Sequence, residues 1–527
     1  MRGVILFLTF ILLHGLLHAQ VALSPLNVQQ RNLLEEDLRR AEEPVVTAFA
    51  PYRVSIAFRD DAIDADTKQW QRKEHASWVM RKLRNEHLFQ VREGDFVLNG
   101  DAAFNLEAAR QSDDQGRRRF TNTRGFEFQG AIGERFFFAT SFYENQSIFP
   151  NYMDSVVSAR GDFNAPTDPE RGSVPGFGRW KPFNTSDSYD YDYTLGTGYI
   201  GYAIGERSFL QFGHDKQFLG YGYRSMLLSD VSSPYPFLRA HMSMLNGKLT
   251  YTTTWAVLQG LERVAPVNYN NKEASFRRMG ARFSYLHFQP KHWWGIGVFD
   301  GSTWHWRDNN HPPSIEYYFP YGLVYFGDGV LNQVTGLNGF IRPAKFIDVY
   351  GQYAWNRNSG GVAYQIGVKW QGAPENLTLT IELNGNDQGA YYHDEQNPTL
   401  ILDEPFGVDP DFEHYYQHND HGLAHPFLVE MTEFLVRLDY QWRDFFVRSG
   451  YHRFNQNPTL VAASTHWFNG ELGFIINPRS NAQVVLGHIH RSAERPLPTA
   501  AGAINTFNEQ YTYLAFRTAL FNRYLDF

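Results

Sequence analysis

Residues 364–384 read YQIGVKWQGAPENLTLTIELN. In the first half Tyr364, Ile366, Val368 and Trp370 alternate with Gln365, Gly367 and Lys369. In the second, Leu377, Leu379, Ile381 and Leu383 alternate with Thr378, Thr380, Glu382 and Asn384. Successive side chains of a strand point to opposite faces, so each half is a strand with one apolar and one strongly polar face. Gly372-Ala373-Pro374-Glu375 between them are turn formers. The same division returns in Phe434, Val436, Leu438, Tyr440 and Trp442 against Glu433, Arg437, Asp439 and Gln441. Such strands suit a soluble sandwich as well as a barrel in lipid, so the connections decide.

Short turns recur at Gly133-Glu134-Arg135, Gly205-Glu206-Arg207, Asn246-Gly247, Gln289-Pro290-Lys291, Arg342-Pro343-Ala344-Lys345, Gly372 to Glu375, Trp442-Arg443-Asp444 and Asn477-Pro478-Arg479-Ser480. The first two share the string AIGER, which we read as one hairpin geometry used twice. Between them lie long polar connections, about 147–188, 215–235, 262–273, 302–330, 387–426, 456–464 and 492–507. Short turns alternating with long loops are the rhythm of an up-and-down barrel in an outer membrane, with turns inside and loops outside. Eight turns pair sixteen strands, and one further strand at each end, near 94–107 and 509–520, makes about eighteen. An even number returns both chain ends to the periplasmic side.

Composition agrees. Mean hydropathy is −0.44, yet 16% of residues are aromatic, with 43 Phe, 30 Tyr and 12 Trp beside 44 Gly. Many strands with one wet and one greasy face give that mixture. A formal charge of −8 argues against a nucleic-acid partner. The opening MRGVILFLTFILLHGLLHAQ has a positive start at Arg2, an apolar core over 4–13, and Leu17 and Ala19 ahead of a cut at Gln20. It reads as a secretory signal peptide over 1–19. Export of a chain without cysteine, hence without disulfides, suits a bacterial envelope protein.

Residues 20–92 differ from the rest. NVQQRNLLEEDLRRAEE and DTKQWQRKEHASWVMRKLRNEHLF carry Leu, Trp, Val and Met at helical spacing among charges. They predict two short helices in a solvated periplasmic cap or plug, ahead of a barrel over 93–527. The terminal Phe527, after an aromatic-rich last strand, has the look of a barrel assembly signal.

The connection after the strand at 208–212 reads GHDKQFLGYGYRSMLLSD, 213–230. With Phe212 before it and PYPFLR after it, this string resembles the signature of Wzi-type capsule-assembly outer-membrane proteins, and in style their gliding-motility relatives called RemB. TRGFEFQGAIGERFFF (123–138), FYENQSIFPNY (142–152), VPGFGRWKPF (174–183), LAHPF (423–427) and FRTALFNRYLDF (516–527) extend the likeness over roughly 75–527. The resemblance implies an eighteen-strand barrel closed by periplasmic helices and inward-folded loops, with a role in surface polysaccharide or in gliding. Its signature falls on Asp215, Lys216, Gly220, Gly222, Tyr223, Arg224, Ser229, Asp230 and Tyr235, and departs at Tyr221, where relatives are expected to carry a small acidic residue or proline.

These loop residues admit two uses. Eighteen strands enclose an aqueous channel unless something fills it, and an ion-pair and tyrosine network inside the barrel would do so. Buried charges need partners, and Asp215, Asp230 and Glu144 are the carboxylates expected to meet Lys216 and Arg224. Alternatively Lys216, Arg224 and exposed tyrosines grip acidic sugars, since arginine forks match carboxylates and rings stack on sugar faces. The His- and Asp-rich region from His393 to His425 has ligand types for a divalent cation but no recognised spacing. There is no GxSxG, HExxH or phosphate-binding glycine loop, and neither metal nor cofactor is expected.

The sequence thus predicts an all-β, transmembrane, antiparallel up-and-down barrel that is not an enzyme. Its expected partners are outer-membrane lipid, surface polysaccharide, and gliding or secretion machinery. The alternative is a porin-like diffusion channel.

Overall fold

The computed structural model describes residues 21–40, 47–55, 75, 77–112, 118–158, 172–183, 190–205, 207–263, 276–306, 315–319, 332–392, 416–428, 430–456, 463–496, 504–518 and 522–527. The signal peptide read over 1–19 lies outside them. Eighteen long strands close into one antiparallel barrel. In chain order they are β1 (Phe96–Gln111), β2 (Arg119–Ile132), β3 (Phe136–Ile148), β4 (Tyr191–Ala203), β5 (Phe209–Asp215) and β6 (Tyr235–Met244). Next come β7 (Leu249–Arg263), β8 (Phe276–Lys291), β9 (Trp294–His305), β10 (Asn332–Ala344), β11 (Ile347–Asn356) and β12 (Val362–Gln371). The last six are β13 (Leu377–Asn386), β14 (Met431–Trp442), β15 (Phe445–Gln456), β16 (Ala463–Asn477), β17 (Ala482–Pro496) and β18 (Ile504–Thr518). Neighbours in sequence pair throughout, and β18 closes on β1 with Tyr511 opposite Gln111 and Arg517 opposite Asn105.

The hairpin of β12 and β13 is formed as its alternation predicts, with Val368 opposite Ile381 and Gly367 opposite Glu382. Its two faces are inverted relative to a soluble protein. Ile366 is 60% exposed whereas Gln365 beside it is 1% exposed. Leu383 is exposed, and Glu382 and Asn384 are buried. Apolar side chains therefore face outward, as a hydrocarbon environment requires, and polar ones face a filled lumen.

Two turns fall later than the sequence suggests. β8 runs through Gln289, Pro290 and Lys291, and β10 through Arg342, Pro343 and Ala344. Pairing shifts between Phe288 and Lys291 and between Ile341 and Ala344. Proline lacks the N–H a ladder needs, so each sits at an irregularity just before its hairpin.

Among the described residues, parts of the N-terminal segment, of the connection after β5 and of the C-terminal tail lie in the lumen. Helix α1 (Val28–Arg40) lies at the short-turn end of the barrel with Arg31, Asn32 and Glu36 buried. A solvated cap was expected. Instead the helix enters the mouth: Glu36 accepts the Asn376 N–H at 3.1 Å, and Gln371 donates to the Asn32 carbonyl at 2.7 Å. Of the second predicted helix, residues Trp78–Arg84 are helical (α2) and rest on the end of β16, whose Asn477 donates to the Lys82 carbonyl at 2.9 Å. A third helix, α3 (Asn151–Ser158), follows β3 at the long-connection end. The terminal Phe527 does not close the last strand either. β18 stops at Thr518, and residues 522–527 turn back into the lumen, where Phe527 packs edge-on to Phe427 at 6.2 Å.

Candidate functional site: the knot in the lumen

Three stretches far apart in sequence meet inside the barrel. The connection after β5 folds inward, and its Phe218–Leu219 pairs with Phe49–Ala50 of the N-terminal segment. Arg31 of α1 stacks on Phe218 at 4.4 Å and donates to the Gly222 carbonyl at 3.0 Å. From the other side comes the C-terminal tail, where Asn522 donates to the Leu26 carbonyl at 2.9 Å and to Asp230 at 2.7 Å.

Arg224 is the centre. Its Nε and Nη2 donate to Glu433 of β14 at 3.2 and 3.0 Å, and Nη2 also meets Asp526 Oδ2 at 2.9 Å. Glu433 further accepts from His425 Nε2, His452 Nδ1 and Asn384 Nδ2, each at 2.9 Å. Tyr223 donates its hydroxyl to Asp526 at 2.9 Å. Beneath the loop, Glu382 accepts the backbone N–H groups of Tyr223 and Arg224 at 2.6 and 3.2 Å and the Tyr350 hydroxyl at 2.7 Å. That close approach needs Gly222, because a Cβ there would lie 2.0 Å from Glu382 Oε1.

Burial opposes the Arg224 charge, but Asp526 and Glu433 outweigh it and raise the guanidinium above its ordinary pKa. His425 is lowered by burial. Its Nδ1 accepts the Phe427 N–H at 3.2 Å, which fits the neutral ring. Lys216 falls to about 8 through burial, with Asp230 and Asp215 opposing.

The sequence grouping is therefore brought together, with different partners. Arg224 pairs with Glu433 and Asp526, not with Asp215, Asp230 or Glu144. Glu144 cannot take part, because β3 turns Tyr143 inward and Glu144 outward, level with Arg124 of β2 and Thr194 of β4. Asp215 accepts the Lys216 N–H at 2.8 Å, and Asp230 accepts the Tyr524 hydroxyl at 2.5 Å. Ser229 donates its N–H to the Leu423 carbonyl at 2.6 Å, and its Oγ accepts the Val231 N–H at 3.3 Å. Tyr235 is buried edge-on against His418 at 5.7 Å. Tyr221, the departure from the pattern, reaches His287 at 2.9 Å and packs on Phe340.

Arg224 is 1% exposed, and its Nε and Nη2 are engaged by Glu433 and Asp526. Sequence reasoning missed Glu433 and Asp526. Glu433 was visible as a charge on the inward face of a strand, and Asp526 carried no signal. Much of the His- and Asp-rich region lies outside the described residues. Among the described residues, no group of three His, Asp or Glu side chains is placed to hold a metal.

Neither family models nor curated proteins match the chain. Among solved structures it is similar to Wzi of Escherichia coli, described as a carbohydrate-binding barrel involved in group 1 capsule assembly. The TM-score is 0.51 at 11% identity, covering 95% of this chain and 99% of that one. OccAB2 of Acinetobacter baumannii (TM-score 0.44, 10% identity, 80% and 99% covered) and OprD of Pseudomonas aeruginosa (0.39, 9%, 82% and 96%) are also similar. At such identities the likeness to Wzi is one of fold, an outer-membrane β-barrel.

Proposed function

We propose that this chain is a non-enzymatic outer-membrane barrel that attaches surface polysaccharide or helps assemble it, with its short turns and both chain ends on the periplasmic side. One observation carries the reading: the barrel is filled by its own loop, N-terminal segment and C-terminal tail, tied at Arg224. A barrel that spends its lumen on itself offers the cell a surface rather than a passage. The fold likeness to a carbohydrate-binding barrel points the same way. The test is a deletion strain, which should shed polysaccharide into the medium. Full retention at the surface would end the proposal, and loss of spreading on agar with polysaccharide retained would assign the protein to gliding or adhesion.

A second reading, the diffusion channel, draws on a cavity of about 610 Å³ that runs from the short-turn mouth to Asp215, Lys216 and Asp230. Single-channel recording separates the two, with steady conductance expected of a channel and near silence of a surface factor.

A further inference from the structure

Helix α2 poses a problem for a folded protein. Trp78, Val79, Met80 and Leu83 are all exposed, Trp78 at 61%, and no residue of the helix is buried. Its last turn is basic, with Arg81, Lys82 and Arg84. Single exposed apolar residues are ordinary, but a helix whose apolar side no described residue covers is made for a partner.

Its surroundings identify that partner. At one end Arg84 lies 6.0 Å from the ring of Phe474 and 4.0 Å from Asp444. Phe474 packs edge-on with Phe445, which is 55% exposed, and Leu472 two residues away on the same face of β16 is also exposed. From that same C-terminal end the chain runs into the short strand Phe89–Glu93, which pairs with the start of β1. There Phe89 stands opposite Gly100 and Val91 opposite Leu98, on the outward face, and Leu88 and Phe89 are exposed. His87 pins the joint from inside by its 2.5 Å contact with Asp101. The helix is thus fastened by its C-terminal end to the lipid-facing wall at its short-turn edge, beside the exposed Phe445 and Leu472.

We infer that α2 and residues 88–91 form an interfacial anchor for phospholipid. Trp78, Val79, Met80 and Leu83 sit among the headgroups and upper acyl chains of the adjoining leaflet, and the last turn, where Arg81 and Lys82 share Glu86 at 3.0 and 2.9 Å, lies at the headgroup level. Aromatic and aliphatic side chains beside Lys and Arg are the composition of helices that lie in a membrane interface, and cations there gain from anionic lipid. The anchor rests on the barrel being in lipid and not on the polysaccharide reading, so a failed polysaccharide test leaves it intact.

The absence of native cysteine makes single spin labels unambiguous. The full chain carrying Val79→Cys or Leu83→Cys would be placed in nanodiscs of phosphatidylethanolamine and phosphatidylglycerol. Label collisions with oxygen and with a water-soluble nickel chelate would then be compared. Leu472→Cys on the wall supplies the lipid reference, and Glu134→Cys in the turn after β2 the water reference. Both helix labels should show a severalfold excess of oxygen over nickel collisions, as Leu472→Cys does. Adding Leu83→Asp should abolish that excess at Val79→Cys while the barrel stays folded by its gel mobility. Helix labels that meet nickel as freely as Glu134→Cys would overturn the anchor, including the case in which a protein covers the helix instead. An excess that survives Leu83→Asp would overturn it too.

Discussion

The hairpin of β12 and β13 and the knot around Arg224 occupy the same depth of the barrel but are built on opposite rules. In the hairpin the pairing is set locally, by a two-residue period, a short turn and a register running from Gln371 opposite Thr378 to Ala363 opposite Asn386. In the knot the defining bonds join residues 209 and 303 positions apart, Arg224 to Glu433 and Tyr223 to Asp526. The wall is held by pattern and solvent. The plug is held by a few charges that water cannot reach, each dependent on the others. The wall should therefore yield gradually to substitution, and the plug abruptly.

The largest effect is expected from Glu433→Ala. It removes the acceptor shared by Arg224, His425, His452 and Asn384, and stripping one partner from a buried pair costs about 3–5 kcal/mol. Trypsin should then cut at Arg224 in a barrel that keeps its heat-resistant gel mobility. If mobility is lost together with protection, wall and plug are one cooperative unit and the distinction fails.

On the wall the counterpart is Ile366→Arg, outward near the middle of β12. A cation at the bilayer centre of a barrel costs up to ~4 kcal/mol. Urea unfolding in liposomes should move to lower concentration, with Arg224 protected until the barrel itself melts.

Between the two lies the loop 416–428, and it brings pH into the comparison. His418 accepts the Gln259 N–H on Nδ1 at 2.9 Å and donates from Nε2 to the Pro234 carbonyl at 3.2 Å. Burial lowers its pKa from 6.5 to about 4. The opened form therefore takes up the proton first, and the loop's stability, complete above pH 6.5, is lost as the pH falls toward 4. The loss amounts to ~3 kcal/mol. Hydrogen exchange at Gln259, corrected for intrinsic rates, should accelerate over that window. His418→Gln, which can both accept and donate, should flatten the dependence.

The same contrast explains what could be read in advance. The antiparallel barrel and its strand number follow from alternation and turn spacing, because lipid on one side forces every strand to declare its faces. The inward fold of the loop at 213–230 came from family likeness and from its need to pair charges. Asp230 and Asp215 do stand by Lys216 as expected, but the partners of Arg224 were not legible. Asp215, Asp230 and Glu144 were chosen for nearness in sequence or likeness, and Glu144 fails on parity alone, facing outward beside inward Tyr143. Asp526 lies in a tail beyond the strand read near 509–520, and nothing in residues 522–527 announces that they reverse into the lumen. Helix α1 read as solvated because Arg31, Asn32 and Glu36 are polar, yet a polar lumen is where such residues can be buried at little cost once bonded.

The smallest effect tests whether the plug is itself divisible. The tail is held near its start by Tyr524 and Asn522 on Asp230, and at its end by Asp526 on Arg224. Tyr524→Phe deletes one hydroxyl that donates to Asp230 Oδ1 at 2.5 Å, leaving Asn522 on the other oxygen at 2.7 Å. A hydrogen bond to a charged group is worth roughly 1.5–3 kcal/mol, and the remaining contacts place the loss near the lower figure. Carboxypeptidase should then release Phe527 about tenfold faster, the factor that ~1.4 kcal/mol corresponds to, while trypsin still spares Arg224. Release without loss of Arg224 protection would make the tail a latch that opens on its own. Simultaneous loss of both would mean that the tail and the loop are a single cooperative knot, and that the abruptness expected of Glu433→Ala extends to its weakest bond.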